Sequence, residues 1–181
     1  MAEAADRRLG WVVARAELDG VFERFDATQI DGLGDFLSRI GGRLFFTGQG
    51  RSGLAARMAA MRFVHLGRPA HVVGEATTPS IGAGDALVVV SGRGRTPVSV
   101  AFARTADQQG ASVVLITHEA GGPIHDIADL VVKIDVAASR QFGGTLFEQA
   151  ALIVLDSAVF DLASAVEGAY TTMARNHANL E

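Results

Sequence analysis

Apolar residues recur at helical spacing from Leu9 to Phe25, with Trp11, Val12, Ala16, Leu18, Val21, Phe22 and Phe25 in register. A second helical pattern runs from Thr28 to Ile40, where Ile30, Leu33, Phe36, Leu37 and Ile40 share a face and Gly41-Gly42 comes next as the stop. These two segments predict N-terminal helices that pack on the next element or on a partner subunit. Beyond them the pattern changes. Short apolar runs at Arg43–Thr47, His71–Val73, Ala86–Val90, Ser112–Ile116 and Leu130–Ile134 predict five strands. Helical patterns separate some of them, from Arg51 to about Leu66 and from Pro97 to Gln109, whereas Pro123–Ala128 has room for only one or two helical turns.

Runs such as Leu87-Val88-Val89-Val90 and Val113-Val114-Leu115-Ile116 do not alternate with polar residues. Continuous apolar strands are those buried on both faces, as in a parallel sheet covered by helices. Strand–helix alternation with short connections therefore predicts an α/β fold, a doubly wound five-stranded parallel sheet flanked by helices. A long helix from Thr145 to about Val166 comes after the fifth strand, apolar nearly all round, which predicts cover on two sides by the sheet and a second subunit. The stretch Gly168–Glu181 reads as a polar tail. The expected organisation is one domain over 1–181, with a helical extension at 1–40, an α/β core at 41–166 and a tail at 167–181.

Composition narrows the class. Hydrophobic residues at 49% against 20% charged argue for a folded core, and a net charge of −4 gives no electrostatic reason to expect nucleic acid or an anionic membrane as partner. No apolar run approaches the ~18 residues of a membrane span. There is no cysteine, hence no disulfide, thiolate metal site or cysteine nucleophile. Met1–Arg8 lacks the apolar run of a secretory peptide, so a cytoplasmic setting is expected. Fifteen arginines stand beside the single Lys133; forked guanidinium groups suit phosphate, and a compositional bias of the source gives the same count.

The chemistry gathers at one edge. Ligands of open parallel sheets bind beyond the carboxyl ends of the strands, where the winding reverses. The segments leaving those ends are Thr47–Ser52, Gly74–Pro79, Ser91–Thr96, Thr117–Glu119 and Ser139–Glu148. The first, within Gly48-Gln49-Gly50-Arg51-Ser52-Gly53, is a glycine turn opening a helix, whose free N–H groups and dipole favour an anion. Its letters also fit the dinucleotide fingerprint, and Glu75 stands near the spacing required for a ribose contact. A short second strand, little room for a substrate domain and a second glycine loop at Ser91-Gly92-Arg93-Gly94-Arg95-Thr96 favour a smaller phosphate ligand.

Glu148 has two readings. Thr145-Leu146-Phe147-Glu148 fits a capping box, in which the carboxylate satisfies a backbone N–H. Its position at the ligand edge, opening an apolar helix, also suits a general base. His65 and His71 read as packing or surface residues, while His118 and His125 are on or near the ligand edge. His177 stands in the polar tail.

Taken together, Gly48–Gly53, Met61–Gly67, Val73–Pro79, Ser91–Thr96, Ser139–Gln149 and Arg175–Glu181 resemble the 6-phospho-3-hexuloisomerases of the sugar isomerase (SIS) domain superfamily. The Phe147-Glu148-Gln149 segment and the ending His177-Ala178-Asn179-Leu180-Glu181 are the most specific parts of the match. The resemblance implies a flavodoxin-like SIS fold, a homotetramer or a dimer, and no metal or organic cofactor. It also implies interconversion of D-arabino-hex-3-ulose 6-phosphate and D-fructose 6-phosphate, a step of formaldehyde assimilation through ribulose monophosphate. The site residues it implies are Gly48, Gly50, Arg51, Ser52, Ser91, Gly92, Arg93, Gly94 and Thr96 for the sugar phosphate, with Glu148 and His177 catalytic. Arg93 departs from the serine usual there, Gln49 from a small residue and Arg95 from one that is commonly small or acidic. Two further readings are a non-catalytic sugar-phosphate-binding module and an isomerase of another sugar phosphate, such as arabinose 5-phosphate.

Overall fold

The computed structural model describes residues 9–136 and 138–180. The expectation drawn from Met1–Arg8 lies outside them, as does Glu181 at the end of the tail. Among the described residues two helices come first, α1 (Gly10–Phe22) and α2 (Thr28–Arg39). The sheet then builds through β1 (Leu44–Gly48), α3 (Arg51–His65), β2 (Ala70–Val72), β3 (Ala86–Val90), α4 (Pro97–Gln108), β4 (Ser112–Thr117) and β5 (Leu130–Lys133). One turn of 3-10 helix, His125–Ile127, joins the last two strands. Helix α5 (Thr145–Ser164) and a short α6 (Ala169–Asn176) close the chain.

All pairings are parallel and the strand order is β2-β1-β3-β4-β5. The chain winds from β1 outward to β2, then returns past β1 to start β3, so the winding reverses between β1 and β3. Gly48 lies opposite Val90 in that pair, and the loops after both strands therefore leave side by side.

Successive strand residues point to opposite faces, and two cores result. Leu44, Phe46, Val88, Val90, Val114 and Ile116 face α1, α2, α3 and α5. Phe45, Leu87, Val89, Val113 and Leu115 meet Ala103 and Ala106 of α4 and Ile124 on the other side. This two-sided burial is why the strands read as unbroken apolar runs. At the edge opposite the ligand side, Asp85 accepts hydrogen bonds from the Arg43 N–H and Nη2, both at 2.8 Å, and from the Gly82 N–H at 3.0 Å. Gln29 of α2 pairs its side-chain amide with both backbone groups of Lys133, so the exposed edge of β5 is covered.

Helix α5 carries apolar residues all round; as expected the sheet covers it, together with α1, α2 and α3, while Ile153 and Phe160 remain outward. One expectation changes. The polar tail contains a helix, α6, because it docks on the end of α3: Asn176 donates its amide to the His65 carbonyl at 3.1 Å. A helix this short is not stable without such docking, and periodicity alone gives it little signal.

Candidate functional site

The first loop needs its glycines. A Cβ on Gly48 would lie 2.8 Å from the backbone of Ser52, and one on Gly53 would lie 2.7 Å from the Gly48 carbonyl oxygen. The strand end and the first turn of α3 are in direct backbone contact, which no side chain permits. Gly50 stands at φ +58°, a left-handed conformation that favours glycine. Gly50 is also the N-cap of α3, and no side chain caps that terminus, so its first N–H groups face the ligand edge. Arg51 and Ser52 occupy the first turn.

The second loop is fixed to the end of β4. The Gly92 carbonyl accepts from the Thr117 hydroxyl at 2.8 Å and from the N–H groups of His118 and Glu119 at 3.0 and 3.1 Å. A Cβ on Gly92 would lie 2.8 Å from the His118 ring. Ser91 is buried beside it, and Gly94 turns the loop at φ +61° with its N–H on the Ser91 carbonyl. Thr96 is the uncapped N-cap of α4, with Pro97 next. Arg95 lies 3.9 Å from Glu119 and against Gly122, pointing along the loop toward β4. Arg93 is exposed on the same loop.

The first turn of α5 is wedged between these loops. Its Phe147 ring meets His118 edge-on at 5.3 Å, beside Gly92, and Glu148 ion-pairs with Nε of Arg51. The Glu148 side chain is 16% exposed and that of Arg51 61%, so the carboxylate sits at the floor of the edge and the guanidinium at its rim. The capping box does not form. Gly144 is the N-cap, no side chain caps the helix, and the Thr145 hydroxyl donates to the Phe142 carbonyl at 2.7 Å. The Glu148 carboxylate is thereby left for Arg51 and the ligand edge. A groove of about 160 Å³ opens from the pair between α3 and α5, lined by Leu54, Met58, Gln149 and Leu152.

Gly48, Gly50, Arg51, Ser52, Ser91, Gly92, Arg93, Gly94, Thr96 and Glu148 thus share the edge at the winding reversal. His177 is elsewhere. Its ring stacks at 5.0 Å on His65, at the far end of α3, and its Nδ1 lies 3.2 Å from the Ala178 carbonyl. Fifteen residues of α3 separate the Arg51 end from the His65 end, a rise of about 22 Å. His71 packs on Phe45, and His125 lies in the 3-10 turn. The sequence reading of α1 gave no hint of Glu17, whose carboxylate takes hydrogen bonds from three consecutive residues of the loop before α5. The available signal was a carboxylate at the i+4 and i−4 positions between Val13 and Val21, on the inward row of an amphipathic helix.

A parallel sheet with two glycine loops at its winding reversal and a carboxylate between them defines the class. The pattern of the SIS domain family matches residues 37–160, and the chain belongs to that family. Among its relatives, a 3-hexulose-6-phosphate isomerase from Mycobacterium gastri is 43% identical over 148 residues, covering 77% of this chain and 74% of that protein. One of the same name from Methylomonas aminofaciens is 38% identical, covering 77% and 81%. A solved Methanococcus jannaschii protein, for which a function as 3-hexulose-6-phosphate isomerase was inferred, superposes with a TM-score of 0.84 at 31% identity, covering 94% of this chain and 98% of that one. Among the described residues no helix is long and apolar enough to cross a membrane.

Proposed function

We propose that this chain is a sugar-phosphate isomerase interconverting D-arabino-hex-3-ulose 6-phosphate and D-fructose 6-phosphate. The observation that carries the reading is Glu148, held by Arg51 between two uncapped helix N-termini at the winding reversal. Three relatives at 35–43% identity bear this enzyme's name. The phosphate sits against the N–H groups of both loops, with the hydroxyls of Ser52, Ser91 and Thr96 and the Arg93 guanidinium as ligands; oriented N–H groups at helix starts favour a dianion. Glycines 48, 50, 92 and 94 let the backbone approach it.

The reaction moves a carbonyl from carbon 3 to carbon 2. Glu148 removes the proton on carbon 2, giving the 2,3-enediol, and a proton is returned to carbon 3. The hydroxyl proton on oxygen 2 passes to oxygen 3, the role assigned to His177. The steps are proton transfers within one substrate, without net oxidation, and require no redox cofactor. Paired acid–base groups of this kind contribute about two to four orders of magnitude each.

His177 lies at the other end of α3 in its own subunit, so it acts in the site of a neighbouring subunit. Leu54, Met58, Met61 and Val64 support association: they form a row along α3, from 43% to 60% exposed, and Ile153 and Phe160 of α5 are outward as well. Apolar rows of this size mark protein interfaces. A homotetramer of single-domain subunits is the proposed assembly, and a charged sugar phosphate that does not cross membranes supports a cytoplasmic setting. The deciding experiment is a coupled assay for fructose 6-phosphate formed from the 3-hexulose 6-phosphate. Turnover is expected; tight binding of the sugar phosphate without turnover would make the chain a binding module instead.

A further inference from the structure

Glu17 of α1 lies outside the span that matches the SIS domain pattern, yet it is the anchor of the segment that leads to Glu148. One carboxylate oxygen accepts the Arg140 N–H at 2.7 Å. The other accepts the Ser139 hydroxyl at 2.7 Å and the Gln141 side-chain amide at 2.9 Å. Ser139 in turn accepts the Gln141 N–H through its own oxygen at 2.9 Å. Three consecutive residues, separated from Glu17 by more than a hundred positions in sequence, are thus gathered on a single half-buried side chain. These bonds hold the Glu17 carboxyl below the usual carboxylate range, with the Ser139 hydroxyl the largest cause, then the Gln141 amide and the Arg140 N–H.

Between this clamp and α5 the chain is short and otherwise weakly tethered. Phe142 is almost fully exposed, Gly143 stands at φ +62°, and Gly144 caps α5 without a side-chain bond. The Glu148 N–H then bonds the Gly144 carbonyl at 3.0 Å. The start of α5, and with it the direction of the Glu148 carboxylate, depends on where the chain leaves Gln141. Helix α1 also packs along α5, so both ends of the linkage are fixed to one body.

We propose that Glu17 is a positioning residue for the isomerase, setting the first turn of α5 through Ser139, Arg140 and Gln141 so that Glu148 meets its substrate carbon. The proposal rests on the functional reading given above. It assigns to the N-terminal helix a part in the chemistry that packing alone does not require.

The test is Glu17→Gln in the full chain, read by amide hydrogen exchange without substrate and by steady-state kinetics with D-arabino-hex-3-ulose 6-phosphate. A glutamine presents an NH2 group where the carboxylate accepted donors, so at least one bond of the clamp is lost. Faster exchange confined to residues 139–148 is expected, with kcat down about 10- to 100-fold, as a misplacement near 1 Å produces. KM should stay within about threefold, because the phosphate loops at 48–53 and 91–96 are untouched. Ser139→Ala removes the bond to Glu17 and the one accepted from the Gln141 N–H, Gln141→Ala removes only the bond from its side-chain amide, and both serve should Glu17→Gln fail to fold; each is expected to give a change of the same pattern, the smaller in Gln141→Ala. Unchanged exchange at 139–148 overturns the clamp whatever the activity, and raised exchange with wild-type kcat overturns its catalytic consequence. A wild-type chain that does not turn over the hexulose phosphate refutes the functional reading and with it the assigned role, while the exchange result still judges the clamp.

Discussion

Replacing Glu148 by Gln separates chemistry from folding at the residue on which the functional reading depends. The substitution keeps the side-chain shape and an oxygen that accepts from Arg51, and removes the proton-accepting charge. Loss of a positioned general base lowers kcat by about 10²- to 10⁴-fold, or about 3–5 kcal/mol of transition-state stabilisation. The stability effect is worked from the same contact. Arg51 is 61% exposed, so the ion pair is solvent-screened and worth about 0–1 kcal/mol. In a chain of 181 residues that is a fall in Tm of less than about 4 °C. No cap is lost, because Gly144 opens α5 without one. The coupled assay for fructose 6-phosphate reads kcat and KM, and a thermal melt reads stability. KM should change little, since neither glycine loop proposed to hold the phosphate is altered. Turnover within about threefold of the unsubstituted enzyme would sink the assignment of Glu148 as base. A kcat loss accompanied by a Tm fall beyond about 10 °C would show that the residue acts through folding.

Three other parts of the molecule give outcomes that can be measured. Arg93→Ala should raise KM for the sugar phosphate about 10- to 100-fold with kcat little changed, the loss of one charge-assisted hydrogen bond; an unchanged KM would mean that Arg93 points away from the phosphate. Asp85→Asn should cost about 2–4 kcal/mol in a denaturant melt, because the Arg43 and Gly82 donors lose a charged acceptor, while kcat is kept because the site is at the opposite sheet edge. Burial acts to raise the Asp85 carboxyl, but the Arg43 side chain and the two backbone N–H groups outweigh it and hold it below the usual aspartate value. Its contribution to stability is therefore complete above about pH 4 and lost as pH falls through the lowered folded value, so melts between pH 2 and 7 should show a shallower acid dependence in Asp85→Asn. Met58→Asp, placed in the exposed apolar row of α3, should shift sedimentation toward a smaller species; an unchanged assembly would exclude that row from the interface.

Much of this was legible in the sequence, for a local reason. Leu87–Val90 and Val113–Ile116 are apolar throughout because the sheet has a core on each face, and that pattern needs no knowledge of partners. Gly48–Gly53 marked a strand-to-helix turn, and the backbone contacts a Cβ would make explain why Gly48 and Gly53 cannot be replaced. Other assignments were ambiguous because the same letters serve two structures. Thr145-Leu146-Phe147-Glu148 fits a capping box equally well, and only Arg51, 97 positions away, shows where the carboxylate goes. Glu17 and α6 were missed for the same reason: each is defined by what it docks against, the Ser139–Gln141 loop for one and the end of α3 for the other.

The sequence by itself determined the strands, the glycine turns and the edge on which the polar residues collect, since these depend on period, burial and backbone sterics along a few neighbouring residues. The tertiary structure decided which side chains meet there. It paired Glu148 with Arg51, tied the approach to α5 onto Glu17, and carried His177 to the far end of α3. Such pairings join residues that are distant in the chain, and their geometry exists only once the sheet and helices have packed.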